Sequence, residues 1–361
     1  MSEVLISHRL ASDLADICNK HQSAKRLVLC IDQHVDTYFG TPLCLELRKE
    51  NFVVHKTLVP ASERSKSLAM ANRLYGEWVR AGVDRTYTVV AVGGGVVGDL
   101  AGFVAASYMR GLPLVHIPTT LLAMVDSAIG GKVAINHPAG KNLIGFFYEA
   151  SATLIDPAFL RTLPPREIFS GLAEVLKYAL IGDRTFFSFL EEQFEAIVAQ
   201  RPPLVEAIKR CVAMKQRIVK LDFRETTGLR ARLNFGHTFA HALEKLAHYR
   251  FLRHGEAVLF GMLCASALSM QLGLLAENEA KRIVQIAKRF NVKRTVAERY
   301  FLERSEKEIE QAMQSDKKKA NGVLRFVLLR QIGEAFLSES PVQSHILQRA
   351  IKEAKQWWKE R

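Results

Sequence analysis

Four short runs in the first half of the chain are rich in Val, Ile and Leu without polar alternation: RLVLCID at 26–32, FVVHKTL at 52–58, TVVAVGG at 88–94 and PLVHIPT at 113–119. Strands buried on both faces read this way. Between the second and third runs, SERSKSLAMANRLYGEWVRAG sets Leu68, Met70, Leu74, Trp78 and Val79 at roughly helical spacing and closes on Gly82, a helix stop signal. Strands alternating with helices predict a mainly parallel sheet. DPAFLRTLPPR, at 156–166, concentrates three prolines and ends that regime; from about 167 onward the period is helical, with one apolar exception at LRFVLL, 324–329. There is no internal repeat or low-complexity tract. The pattern predicts an α/β nucleotide-type domain joined to a larger helical domain, with a cleft between them as the default site.

Composition narrows the class. The 361 residues are 48% hydrophobic and 24% charged, which suits two ordinary folded domains and excludes disordered and fibrous chains. The formal charge of +13 is uneven: residues 1–150 carry 15 basic and 13 acidic groups, and residues 281–361 carry 19 and 10. The basic stretches mix both signs, as solvated helix faces do, and only the terminal KQWWKER interleaves aromatics in the manner of a nucleic-acid stripe. No nucleic-acid partner is expected. Five widely spaced cysteines without a CxxC pair indicate reducing, cytoplasmic surroundings, and no apolar run approaches a membrane span.

Candidate chemistry begins at the third strand. Gly93, Gly95 and Gly98 satisfy G-x-G-x-x-G directly after TVVAV and open a helix of small residues, so backbone N–H groups can approach a pyrophosphate. The ribose-binding acid expected about twenty residues on is missing. A tight turn without a ligand explains the glycines equally well. Thr119 and Thr120, at the end of the next strand, favour the dinucleotide. Downstream, Asp126, Lys132, Lys141 and Asn142 lie among glycines and apolar residues in a loop-like stretch, and Arg110 adds a guanidinium near the strand ends. Cations in such surroundings suit a phosphate or carboxylate, and a β-hairpin with exposed lysines is the alternative.

The helical half carries a second constellation. In SGLAEVLKYAL, Leu172, Val175, Leu176 and Ala179 share one face, leaving Glu174, Lys177 and Tyr178 on the other. LNFGHTFAHALEKLAHYRFLRHGEAV supplies His237, His241, His248 and His254 within eighteen positions, with Phe239, Leu243 and Leu246 as the packed stripe. The His237/His241 pair alone reads as surface histidines; Glu174 and His254-Gly255-Glu256 shift the reading to a metal. Two histidines and one carboxylate with open positions describe a catalytic zinc-type site, and without HExxH metalloprotease chemistry is not indicated.

From about residue 26 to 335 the chain resembles the 3-dehydroquinate synthase family, in the ordered segments GGGVVGDLAGFVAASYMRG, IPTTLLAMVDSAIGGKVAIN, GKNLIG, GLAEVLKYA, GLRARLNFGHTFAHALE, HGEAV and DKK. The resemblance implies an α/β Rossmann-like NAD-binding domain with a parallel sheet over 1–160 and an all-α domain over 161–361 that binds a divalent metal, usually zinc, with cobalt as the alternative. Metal ligands would be Glu174, His237 and His254. NAD would be held by Asp32, Glu63, Lys66, Gly94, Gly95, Val96, Val97, Gly98, Asp99, Thr119, Thr120, Lys132, Lys141 and the Phe159, Leu160, Arg161, Thr162 run. Catalytic and substrate contacts would come from Asp126, Lys132, Lys141, Asn142, Lys177, Lys215, Arg230, Asn234, His241, Lys317 and Lys318, with Arg110 donated across a homodimer. The stretch between Lys215 and GLR is one residue longer than the family spacing, and Ala240 stands where the family often has glycine.

The implied reaction converts 3-deoxy-D-arabino-heptulosonate 7-phosphate, a small anionic sugar phosphate, into 3-dehydroquinate and phosphate by transient NAD-dependent oxidation, phosphate elimination, reduction and intramolecular aldol closure. His241 is the candidate proton relay, and Lys132 and Arg230 would pair the substrate carboxylate. A metal-dependent polyol dehydrogenase would need no such grip on phosphate and carboxylate. A cyclase acting on a sugar phosphate without the carboxylate is the nearer rival.

Overall fold

The computed structural model describes residues 2–21, 23–317 and 324–360, with residues 315–317 described in their backbone alone. The chain separates into two compact units, one of residues 1–163 with 215–224, the other of residues 164–214 with 225–361. Against the expected 161–361 domain, the last turns of the helix Pro203–Leu221 therefore count with the first unit.

In the first unit, β1 (Glu3–Ile6), β2 (Arg26–Asp32), β3 (Val53–Val59), β4 (Thr88–Gly93) and β5 (Leu114–Pro118) precede a hairpin of β6 (Lys132–His137) and β7 (Gly140–Phe147), and β8 (Ala152–Ile155) follows it. Six of these form one sheet in the order β1-β8-β5-β4-β2-β3, every pairing parallel. All four strands expected from the apolar runs are present. β4 and β5 are buried throughout, and β3 alternates exposure because it is an edge. The order reverses between β2 and β4, whose carboxyl ends carry Asp32 and the glycine-rich turn, and such a switch point is where open α/β sheets bind ligands.

The helix Leu68–Arg80 buries Ala71, Leu74 and Trp78, with the Trp78 indole edge-on to Tyr108 at 5.4 Å. Leu68 and Val79, expected in the same stripe, are exposed. Their positions fall on the flanks of the Ala71–Leu74–Trp78 line, where a small residue does the packing.

The stretch read as loop-like is a helical turn, Ala123–Ser127, followed by the antiparallel pair β6 and β7, which is the β-hairpin held as the alternative. Val133 and Ile135 point one way along β6 and are buried, so the alternation is that of a half-buried strand.

Among its described residues, the second unit is helical apart from β9 (Val327–Gln331) paired antiparallel with β10 (Glu334–Leu337). β9 corresponds to the apolar exception at 324–329; its partner EAFL was too short to announce itself. Three helices matter for the chemistry: Pro165–Gly182, His237–Leu246 and His254–Gln271. No helix among the described residues is long and apolar enough to cross a membrane.

Candidate functional site

In the second unit, two glycine contacts bring the three helices to close approach. A Cβ on Gly255 would lie 2.1 Å from the Ser170 carbonyl oxygen, and the Gly255 N–H donates to Ser170 Oγ at 3.0 Å. This docks the start of His254–Gln271 one turn from Glu174. Gly236, at φ +79°, and Gly261 meet in the same way: a Cβ on Gly261 would lie 2.2 Å from the Gly236 oxygen. His237 begins its helix at that contact.

Glu174, His237 and His254 then offer ligand atoms that all lie within 4.8 Å of one another. His237 Nε2 is 3.5 Å and His254 Nε2 3.3 Å from Glu174 Oε1. Both Nδ1 atoms face away, His237 to the Phe235 carbonyl at 3.2 Å and His254 to Glu244 Oε1 at 3.5 Å. Metal-bound histidines are oriented through their second nitrogen in this manner. Burial pushes the His237 imidazole down to about 3, with Glu174 opposing and Lys177 assisting, which leaves it a neutral donor. Against the desolvation of its own burial, hydrogen bonds to Glu174 and Glu244 push His254 up to about 10, so the pocket favours a cation. The donor set, one carboxylate and two imidazoles, fits a divalent metal with open positions.

Glu174, Lys177 and Tyr178, set opposite the apolar face by helical spacing, are at most 1% exposed, because neighbouring elements cover this helix on every side. Lys177 Nζ contacts Glu174 Oε2 and lies 4.7 Å from the Tyr178 ring centroid. His241, one turn beyond His237, is exposed, its ring centroid 5.7 Å from that of His237. Neither His248 nor Glu256 joins the triad. His248 lies past the helix end with φ +54°, and Glu256 binds Arg166 through two contacts of 2.7 Å and closes a capping box on Arg253. Arg230 is buried, with Nε 3.4 Å from Glu225, and Asn234 ends the same short helix exposed. Lys318 lies outside the described residues, and Lys317 is described only in its backbone.

In the first unit, the helix Gly95–Ser107 starts from Gly94 with no side-chain cap, leaving its first N–H groups for another acceptor. Cβ atoms on Gly93, Gly94 and Gly95 would lie 2.7 Å from Val97, 3.0 Å from Thr120 and 3.0 Å from Ser127. The buried Ser127 hydroxyl has no hydrogen-bond partner among the described residues, and a cavity at this turn is lined by Gly93, Gly94, Gly95, Gly98, His116 and Ser127. A glycine cradle beside an unsatisfied hydroxyl fits a dinucleotide. Val96 is partly exposed and Val97 buried; Thr119 N–H donates to the Gly93 carbonyl, and Thr120 Oγ1 accepts from Ala123 N–H. Asp32 caps the turn after β2, accepting from His34 N–H at 2.8 Å and Val35 N–H at 3.3 Å. Phe159 and Leu160 are buried, Arg161 and Thr162 exposed, and Thr162 Oγ1 donates to the Phe159 carbonyl.

The cationic residues of this unit are drawn together less than their sequence spacing suggests. Lys66, remote in sequence, is the hub: its Nζ contacts Asp99 Oδ2 at 2.6 Å and Asn142 Oδ1. Asn136 Nδ2 donates to Glu63 Oε1 at 2.8 Å, and Asn136 Oδ1 accepts from Asn142 N–H at 2.9 Å. Lys215 Nζ donates to the Asp126 carbonyl at 2.6 Å and to Asp126 Oδ1 at 2.8 Å, an 89-residue separation. Lys132 and Arg110 are exposed, Lys141 half-buried, and Arg110 sits at φ +69° in the turn before β5. Asn136 and Glu244 were not singled out from the sequence. Asn136 stands in the quoted segment KVAIN, and Glu244 follows His237 by seven positions, two helical turns.

A parallel sheet with a glycine cradle at its switch point, together with a helical unit holding a carboxylate and two imidazoles, is an architecture shared with solved sugar-phosphate cyclases. Among solved structures, 2-epi-5-epi-valiolone synthase from Streptomyces hygroscopicus subsp. jinggangensis 5008, with NAD+ and Zn2+ bound, is similar at TM-score 0.87 and 30% identity, over 99% of this chain and 97% of that one. A 2-deoxy-scyllo-inosose synthase complexed with carbaglucose-6-phosphate, NAD+ and Co2+ is similar at TM-score 0.84 and 25% identity, over 97% and 96%. The family models for the 3-dehydroquinate synthase N-terminal and C-terminal regions match residues 56–170 and 171–319. The 3-dehydroquinate synthase of Chlorobium chlorochromatii (strain CaD3) is 50% identical over 361 residues, all of this chain and 99% of the relative. The chain belongs to the 3-dehydroquinate synthase family and is an enzyme of it.

Proposed function

We propose that the chain converts 3-deoxy-D-arabino-heptulosonate 7-phosphate into 3-dehydroquinate and inorganic phosphate, using NAD and one divalent metal, zinc or cobalt. The observation that carries the metal half of this reading is the convergence of Glu174, His237 and His254 with both Nδ1 atoms already engaged. When bound, the nicotinamide supplies a hydride acceptor that is regenerated within the turnover, and the metal supplies Lewis acidity toward the substrate's alcohol oxygen.

The chain's own residues do the rest. Glu174, His237 and His254 hold the metal, and the Gly94 to Asp99 turn with Ser127, Thr119 and Thr120 receives the dinucleotide. Arg110 and Lys141 carry the charge of the departing phosphate, which leaves more readily when cations face it, and Lys132 joins Arg230 at the carboxylate. Arg230 and Asn234 orient the carboxylate and ring hydroxyls of the substrate. His241, exposed one turn from His237, passes a proton between the substrate oxygen and water. Lys215 holds Asp126, and through it the turn before β6.

The test is substrate discrimination. Metal-loaded protein with NAD is offered the heptulosonate phosphate, a heptulose phosphate lacking the carboxylate, and glycerol. The expected result is phosphate release from the first alone. Equal release from the second would favour another cyclase, and net oxidation of glycerol a dehydrogenase.

A further inference from the structure

We propose that Glu244 is a positioning residue for the metal centre: its carboxylate holds His254 by Nδ1, so that Nε2 faces Glu174. The inference rests on the reading of Glu174, His237 and His254 as metal ligands.

Glu244 lies on the helix that carries His237, seven residues on and therefore on the same face. It is 6% exposed, whereas its neighbour Lys245 and the intervening His241 are exposed. A carboxylate so enclosed requires a hydrogen-bonding or charged partner, and the Glu244 Oε1 to His254 Nδ1 separation is 3.5 Å. His254 needs the help more than His237 does. Both begin their helices, but His254 follows the turn 247–253 and keeps 31% of its side chain exposed, against 11% for His237. The Glu244 backbone also anchors that turn, its carbonyl accepting from Tyr249 N–H at 2.7 Å. The two imidazoles thus differ in support: a neutral carbonyl stands behind His237 and a carboxylate behind His254. A carboxylate fixes the tautomer and raises the basicity of the metal-facing nitrogen, and losing such a partner weakens metal affinity by roughly 10–100-fold.

The experiment is competition of zinc between a chromophoric chelator and four proteins: wild type, Glu244→Gln, Glu244→Ala and Glu174→Ala. Thermal melting of each metal-free form is measured alongside. Gln keeps the shape and an acceptor oxygen but not the charge, so the variant remains informative if Ala fails to fold. The expected order of affinity is wild type, then Gln about tenfold weaker, then Ala weaker still, with the Gln protein melting as the wild type does when metal-free. Cobalt-loaded Gln protein should also show shifted d–d absorption bands. Affinity of the Gln variant within twofold of wild type overturns the proposal. So does a loss of affinity matched by a fall in metal-free melting temperature, the mark of a merely structural role. Wild-type affinity in Glu174→Ala overturns the metal reading itself, and this proposal with it.

Discussion

Lys66 Nζ stands 2.6 Å from Asp99 Oδ2, with the lysine side chain only 5% exposed. This pair joins a 3-10 turn after β3 to the second turn of the helix that follows the glycines. Burial pushes the Asp99 carboxyl above its usual range, and Lys66 opposes that shift. Breaking a buried pair from one side leaves an uncompensated charge, so Lys66→Met should lower stability by roughly 3 kcal/mol. Urea unfolding of Lys66→Met, Asp99→Asn and the double variant checks this. The double variant should be less destabilised than the sum of the singles; strict additivity would show that the two side chains do not act as a pair.

His116, on β5 and 6% exposed, is a second buried titratable group, and burial pushes its imidazole down to about 4 from 6.5. The unfolded chain therefore takes up a proton between those values while the folded chain does not. The stability His116 contributes is full above about pH 6.5 and is lost as pH falls toward 4, on the order of 3 kcal/mol in all. Unfolding free energies of wild type and His116→Gln, measured from pH 7.5 to 4, should differ by an amount that changes in that window. A difference independent of pH would contradict the assigned shift.

Gly255 predicts a geometric effect on the metal. An alanine there would drive its Cβ to 2.1 Å from a backbone oxygen of Ser170, so one helix must move and His254 moves with it. Gly255→Ala should weaken zinc binding by tenfold or more, about the loss expected when a supporting contact of a ligand is removed. Ser170→Ala deletes one hydrogen bond without the clash and should cost about 1 kcal/mol of stability. Chelator competition on both variants separates them.

The parallel sheet was legible because β2, β4 and β5 are buried on both faces and so read as unbroken Val and Ile runs. A site of two histidines and one carboxylate was legible from the residues, but the choice of Glu174, His237 and His254 as its ligands came only from family resemblance. Helical spacing alone grouped His237 with His241, but His254 reaches Glu174 by a glycine contact between helices that no periodicity encodes. The same spacing set Glu174, Lys177 and Tyr178 on a face apart from the apolar one, and all three are buried because residues 170–181 of that helix are covered all round. Glu256 looked like a ligand from its place beside His254 and is instead matched to Arg166, ninety residues away. Lys66 with Asp99 and Lys215 with Asp126 are likewise long-range, set by tertiary packing. The hairpin was held only as the alternative, on its glycines and lysines; Val133 and Ile135, two apart, carried the further strand signal.

The most direct measurement follows inorganic phosphate and absorbance at 340 nm together, with metal-loaded protein, excess heptulosonate phosphate and NAD at a small fraction of the substrate. A cyclase that returns its hydride within each turnover releases phosphate far beyond the NAD supplied while the absorbance stays flat. Absorbance rising in step with phosphate, or phosphate release stopping once the NAD is consumed, would contradict it.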